Sequence, residues 1–239
     1  MRLNCTTPEA YSRIVDHLSG LETTGSRAGE TREELCVTVV SDDPRERYLF
    51  RDDSWNLAFQ LQEHWAYWAG ANPGHVQRYN SAMEDWMVDG ELPGSAYGDR
   101  LRNTAGHDQL ERARETLEER PESRRALMQV HQAAVEDYAA GDVSCTAHLH
   151  PFVRDGELHM VASLRSQDMY WGYAYDAANN QFIQEMLAAQ LDLDLGSYYH
   201  VMNSCHYYTE YEDDALAAEP EVVSAEPVEG DIAEGFEEL

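Results

Sequence analysis

Two runs of alternating apolar and polar residues, CTAHLHPFV at 145–153 and ELHMVASLR at 157–165, flank the tetrapeptide R-D-G-E. An Asp-Gly pair between two period-two runs marks a β-hairpin, because the tightest turns need positive φ at their central residues and Asp-Gly tolerates it. The chain is thereby committed to an antiparallel strand pair. The segments beyond the hairpin narrow the fold: NNQFIQEMLAAQL at 179–191 spaces Phe182, Met186, Leu187 and Leu191 as a core helix, and YYHVMNSCHYY at 198–208 alternates like a further strand.

Upstream, PEAYSRIVDHLSG at 8–20 reads as a short helix with Tyr11, Ile14, Val15 and Leu18 on one face and Gly20 as its stop. CVTVV at 36–40 reads as a strand closed by the polar turn SDDP. Leu57, Leu61, Trp65 and Trp68 recur at helical spacing before AGANPG breaks the run, and Leu110, Ala113 and Leu117 mark a helix over about 106–119 that Pro121 ends. RRALMQVHQ at 124–132 reads as one more strand. Helices and strands are interleaved around adjacent hairpin strands, so the fold class is α+β.

With 43% hydrophobic residues, a chain of this length can bury about 70% of its unfolded surface. No linker-like stretch divides it early, so 1–212 is expected to be one domain. From Glu210 onward twelve acidic residues occur without a base. Such a stretch buries too little surface to offset its ordering entropy, and 213–239 is expected to be a disordered acidic tail. No run reaches the roughly 18 apolar residues of a membrane span, and the first residues lack an apolar signal core, so a soluble, cytoplasmic protein with no membrane partner is expected.

Lys+Arg 17 against Asp+Glu 45 gives a net charge of −28, and every basic residue is arginine. Such a surface repels nucleic acid, whose binding needs cationic contacts to phosphate. Acidic excess without lysine suits salt of molar order, where the Debye length shrinks to about 3 Å and self-repulsion is screened. A salt-adapted source is the expectation. Against this field the arginines Arg27 and Arg32, Arg100 and Arg102, Arg124 and Arg125, and Arg165 stand out. A guanidinium cluster suits a phosphomonoester, although any one of them alone has abundant carboxylates to pair with.

The four cysteines, Cys5, Cys36, Cys145 and Cys205, form no CxxC, and the histidines give H-x-H at His148 and His150 but no HExxH, so no metal site is expected. Cys145 stands just before a strand and twenty positions before Arg165. A hairpin would bring the two together, and a guanidinium beside a thiol enriches the nucleophilic thiolate. Without such a partner, a lone cysteine beside a strand packs as a small apolar residue.

The stretches SRAGETREEL with DPRER, QEHWAYWAGANP, AYGDRLR, DQLERARETLEERPESRRA, the block from Cys145 through FVRDGELHM to LRSQDMYWGYAYDAANNQF, and HYY at 206–208 carry a resemblance. Together they resemble the thymidylate synthase superfamily over about residues 20–210, and within it the deoxycytidylate hydroxymethylases. The resemblance implies a mixed β-sheet with flanking helices and a homodimer formed through the sheet. It implies 5,10-methylenetetrahydrofolate as the cofactor and a nucleoside monophosphate as substrate: dCMP, less readily dUMP.

Residue by residue, Cys145 matches the nucleophile that adds to C6 of the pyrimidine. Arg165 and Ser166 match phosphate ligands, Arg27 the phosphate-loop arginine, and Arg124 with Arg125 the pair donated across the dimer. Glu63 matches the glutamate that organises water and proton transfer, and Tyr97 the tyrosine that helps move the C5 proton. His206 and Tyr208 match the clamp on the sugar hydroxyl, while Asp168, Gly172 and Trp86 fall in the folate pocket.

Departures from the synthase pattern point to the base and the product. Asp176 stands where synthases place an asparagine that pairs with uracil. A protonated carboxyl can donate to N3 of cytosine and accept from its 4-amino group, and burial raises a carboxyl's pKa in the direction that keeps the proton. Met83 replaces a tryptophan that shields the reacting methylene from water, and Ser144 and Thr146 replace proline and histidine around the nucleophile. The tail lacks the short apolar C-terminus that closes over folate, so incomplete closure is expected. The resemblance thus implies a dCMP 5-hydroxymethylase, in the setting of viral or otherwise protected DNA. A thymidylate synthase with altered base contacts, a hydroxymethylase for dUMP or ribo-CMP, and a silent nucleotide-binding paralogue are the alternatives.

Overall fold

The computed structural model describes residues 1–50, 55–70, 79–87, 89–139 and 142–228, apart from the side chains of Ala82, Asp85, Trp86 and Ala105. The chain opens with β1 (Arg2–Asn4) and α1 (Thr7–Ser19). Thr6 and Glu9 close a reciprocal capping box on α1, which turns Tyr11, Ile14, Val15 and Leu18 inward. Then come β2 (Thr23–Ser26), the long β3 (Gly29–Ser41) and β4 (Tyr48–Phe50).

The next helix, α2 (Leu57–Ala69), is capped by the Asn56 side chain and ends on Gly70 in the left-handed region, φ 67°. After a 3-10 turn at Ser81–Trp86, α3 (Tyr97–Arg102) packs directly on α2. Gly98 permits that approach, since a Cβ there would lie 1.9 Å from the Ala66 carbonyl oxygen. Asp108 caps α4 (Gln109–Glu119), which leads to β5 (Met128–Gln129); the strand expected over 124–132 is confined to those two residues.

The hairpin is formed by β6 (Thr146–Arg154) and β7 (Glu157–Leu164), turning on Asp155 and Gly156 with φ of 53° and 87°. Both positive values are those that an Asp-Gly pair tolerates. After β8 (Gln167–Asp168), α5 (Tyr173–Gln190) crosses to β9 (Asp194–Tyr208). The core helix begins six residues before the expected 179, at Tyr173. The sheet has eight strands in the order β1-β3-β9-β7-β6-β5, with β2 paired to β3 and β8 to β9. The pairs β1–β3, β7–β9 and β8–β9 are parallel and the others antiparallel, so the sheet is mixed and the fold is α+β.

The segment expected to be disordered is ordered as far as residue 228. It forms α6 (Glu212–Ala217) and β10 (Glu221–Val223), and β10 pairs antiparallel with β4. Beyond it the Ala225 N–H donates to the Arg45 carbonyl at 2.9 Å, and the Val228 N–H to Glu185 Oε1 at 3.1 Å. Composition misleads here for two reasons. Strand pairing uses backbone groups, which charge counting does not see. The entry into the segment is also anchored, because Glu212, just before it, pairs with Arg32 at 2.8 Å. The remainder of the tail, 229–239, lies outside the described residues.

Candidate active site

The site gathers where β7 and β9 end and β6 begins. Arg165 comes directly after β7, and its N–H donates to the Cys145 carbonyl at 2.9 Å; a one-residue register shift between Thr146 and His148 sets the two residues opposite each other. Its guanidinium donates to the carbonyls of Ser144 (2.9 Å) and Val143 (2.8 Å) and lies 3.8 Å from Cys145 Sγ. Burial pushes the Cys145 thiol up to about 11 against the lowering effect of Arg165, with Asp176, Asp142 and Asp168 adding to the rise. The ligand-free site therefore holds a thiol, and forming the nucleophile requires a group that takes its proton.

The loop that carries Cys145 is pinned from both sides. The Cys145 N–H donates to Tyr97 Oη at 3.0 Å and the Thr146 N–H at 3.4 Å. With both N–H groups aimed at its oxygen, the Tyr97 hydroxyl hydrogen is free to point elsewhere; burial raises the Tyr97 pKa well above the ordinary value. Asp142 accepts from the N–H groups of Gly94 and Ser95, each at 2.8 Å, and from Ser95 Oγ at 2.7 Å. Ser144 Oγ donates to Glu136 at 2.5 Å, and Glu136 also pairs with Arg100 at 2.5 Å. Burial works upward on Glu136, yet Ser144 and Arg100 hold its carboxyl below the ordinary range.

Two further carboxyls belong to the same site, each held through a tyrosine–histidine–amide chain. Gln167 Nε2 donates to Asp176 Oδ2 at 2.9 Å, its Oε1 accepts from His200 Nε2 at 2.9 Å, and Tyr198 Oη lies 2.6 Å from His200 Nδ1. In the second chain Asn179 Nδ2 donates to Glu63 Oε2 at 3.1 Å, its Oδ1 accepts from His64 Nδ1 at 2.6 Å and from Gln60 Nε2 at 2.8 Å, and Tyr48 Oη lies 3.1 Å from His64 Nε2.

Burial pushes both histidines down to about 3, with Arg47 adding to the effect on His64, so each is neutral and carries the one proton that its amide oxygen accepts. Burial pushes Glu63 up to about 8, opposed by the Asn179 N–H and reinforced by Asp176. It pushes Asp176 up to about 6, opposed by the Gln167 N–H and reinforced by Asp168. Carboxyls with pKa values raised toward neutrality can exchange protons with bound groups.

His206 and Tyr208 lie at the end of β9 with their rings edge to face at 5.4 Å. Arg27 occupies the exposed two-residue turn between β2 and β3, close enough that its charge opposes the burial that raises the Tyr208 pKa. Asp168 Oδ1 accepts from the Tyr170 N–H at 2.8 Å and the Trp171 N–H at 3.3 Å, and its main chain pairs with His206. Ser166 is partly exposed between Arg165 and Gln167.

Arg124 and Arg125 are exposed on the segment after α4, and no contact within the chain joins them to Cys145 among the described residues. The Trp86 side chain lies outside the described residues. Three arginines considered for an anion cluster are engaged in ion pairs instead: Arg32 with Glu212 (2.8 Å), Arg100 with Glu136, and Arg102 with Asp108 (2.8 Å). In an acid-rich chain, a carboxylate within reach satisfies an arginine before any ligand does.

Sequence reading overlooked the two locking chains. Gln167 hides between two motif residues. Asn179 is one of several polar residues, with Asn180, Gln181, Gln184 and Glu185, buried on α5, so nothing in the sequence singles it out.

A thiol with a guanidinium beside it and two carboxyls of raised pKa define a protein built for covalent and proton-transfer chemistry. The thymidylate synthase family profile matches residues 46–221, most of the chain, and the chain belongs to that family. It is 27% identical over 250 residues to a deoxyuridylate hydroxymethyltransferase of Bacillus phage SP01, covering 97% of this chain and 64% of that protein. It is 30% identical over 179 residues to a deoxyuridylate hydroxymethyltransferase of Pseudomonas phage M6, covering 73% of this chain and 51% of that protein. A putative thymidylate synthase of Methanothermobacter thermautotrophicus is 28% identical over 208 residues, covering 84% of this chain and 89% of that protein. The chain thus spans about half to two thirds of the length of the phage relatives.

Proposed function

We propose that the protein is a folate-dependent hydroxymethyltransferase acting at C5 of dCMP. The observation that carries the reading is Asp176: a carboxyl in the pocket of Cys145, raised to about 6 by burial, whose protonated form offers the donor and acceptor that the cytosine edge needs. Cys145 adds as thiolate to C6 of the ring, which makes C5 electron-rich. Arg165, Ser166 and Arg27 bind the phosphate, His206 and Tyr208 hold the sugar, and Tyr97 with the water organised by Glu63 moves the C5 proton.

The folate pocket is assigned to Asp168, Gly172 and Trp86. Gly172 fits that assignment: a Cβ there would come within 2.9 Å of Gln167 Nε2 and 3.3 Å of Asp176 Oδ2, filling the space beside the base-recognising carboxyl. When bound, methylenetetrahydrofolate supplies the one-carbon unit that C5 takes up. Loss of the C5 proton with departure of tetrahydrofolate would leave an exocyclic methylene, and water adding there as the Cys145 thiolate leaves C6 would give the hydroxymethyl product; Met83 in place of a shielding tryptophan leaves room for that water.

The unit is a homodimer in this reading. Phe152, Val161, Tyr199 and Val201 lie half-buried on the outer sheet face, a surface suited to a second copy, and the exposed Arg124 and Arg125 are free to reach a partner's phosphate site. The relatives named deoxyuridylate hydroxymethyltransferase favour a second reading, with dUMP as substrate and the same chemistry. Incubating the protein with methylenetetrahydrofolate and either nucleotide distinguishes them. Hydroxymethyl-dCMP by mass, without dihydrofolate absorbance, is expected; hydroxymethyl-dUMP with dCMP left unchanged would establish the second reading instead, and methylated dUMP with dihydrofolate would refute both.

A further inference from the structure

Asp176 is held asymmetrically. Gln167 donates to its Oδ2 at 2.9 Å, and the same amide nitrogen lies 3.3 Å from the Asp168 carbonyl oxygen, which it can meet only as a donor. At the other end of the amide, Oε1 accepts from His200. The His200 ring is buried and neutral, so with its proton on Nε2 it takes the Tyr198 hydroxyl hydrogen at Nδ1. Rotating the Gln167 amide by half a turn would set two oxygens against each other at Asp168 and break both outer bonds. The amide therefore has one orientation, and its N–H always faces Oδ2.

We propose that Gln167 is a specificity-determining positioning residue: by occupying Oδ2 as a donor it leaves Oδ1 as the one oxygen of Asp176 that can carry a proton. This rests on the reading that Asp176 meets the base. A carboxyl free to hold its proton on either oxygen presents donor and acceptor in either order. One order matches the N3 acceptor and 4-amino donor of cytosine, and the reverse matches the N3–H and O4 of uracil. Fixing the proton removes one of the two, so discrimination comes from the lock on Asp176 as well as from Asp176 itself. Of the other titratable groups around the carboxyl, Asp168 acts on it by charge, whereas Glu63, Tyr67, Tyr97, Cys145 and Tyr198 are groups on which the charge of Asp176 acts.

Gln167→Met keeps the length of the side chain and removes the donor. The ratio of dissociation constants for dCMP and dUMP, measured by calorimetry, should move about tenfold toward one, the scale of one buried polar mismatch. In the ligand-free protein, a carbon-13 titration of Asp176 should show its pKa higher in Gln167→Met, because a hydrogen bond to the charged form is gone. A purely structural glutamine would lower Tm and leave ratio and titration where they were, and that result would overturn the proposal. So would a wild-type ratio near one. A wild-type preference for dUMP would refute the dCMP reading while leaving the change on Gln167→Met as the test of the lock. If neither nucleotide binds, the reading fails and the titration alone decides.

Discussion

Tyr97→Phe deletes one oxygen and tests how the nucleophile loop is held. That oxygen accepts the Cys145 N–H at 3.0 Å and the Thr146 N–H at 3.4 Å. A buried N–H left without an acceptor costs about 1–3 kcal/mol. The shorter bond carries most of that, the longer one adds a fraction, and the relief of no longer burying the phenol hydroxyl offsets part. The net is about 2 kcal/mol, which for a chain of this size lowers Tm by about 4–8 °C. Differential scanning calorimetry of the ligand-free protein reads this without reference to the reaction. A Tm within about 1 °C of wild type would show that water replaces the hydroxyl and that Tyr97 does not anchor Cys145. Turnover should fall on the order of 100-fold as a separate consequence of losing a proton-transfer group.

Glu63 is raised in the folded chain, so it holds its proton more tightly there than when unfolded, and stability is lost as pH rises from the ordinary value of 4.5 through about 8. Glu63→Gln removes that loss: its Tm should match wild type near pH 4 and exceed it increasingly up to about pH 8, whereas a constant difference would contradict the raised carboxyl. Ending the chain at Ala218 removes β10 and the Val228 bond to Glu185, which leaves the β4 edge unpaired. The shortened protein should lose about 1–3 kcal/mol of stability by urea titration; an unchanged midpoint would mean the strap is not docked in solution. With a net charge of −28, Tm should climb between about 0.1 M and 2 M KCl as repulsion is screened, and a flat or falling profile would argue against salt adaptation.

What could be read from the sequence was what local pattern encodes. Asp-Gly announced the hairpin, but its register continued from the turn would set Ser166 opposite Cys145; the one-residue shift between Thr146 and His148, which no residue pattern announces, brings Arg165 there instead. Amphipathic spacing found α1 and α4 because each buries the face it marked; α2 formed where its apolar run predicted, but Leu57 and Leu61 of the expected stripe are exposed, and the helix instead buries Phe59, Gln60, His64, Ala66, Tyr67 and Trp68. The first turns of α5 escaped because their buried residues, Tyr173, Ala174, Ala177 and Ala178, are small or polar-tipped and draw no large apolar stripe, unlike Phe182, Met186 and Leu187 further on. The short strands β1, β4 and β10 take their form from backbone pairing with distant segments, which residue type hardly marks. In the site, residues that carry reactive atoms were visible by their chemistry. Gln167, His200, His64 and Asn179 gain meaning only from partners on other elements, and Arg32, Arg100 and Arg102 lost theirs the same way, to nearby carboxylates.

The central claim is a covalent bond between Cys145 and C6 of a cytosine nucleotide. Incubation with 5-fluoro-dCMP and methylenetetrahydrofolate tests it directly, because fluorine at C5 cannot leave as a proton and the adduct accumulates. Intact-protein mass should rise by the nucleotide plus the folate, peptide mapping should place the addition on Cys145, and Cys145→Ser should show none. An unmodified protein with 5-fluoro-dCMP, alongside full labelling by 5-fluoro-dUMP, would contradict the account.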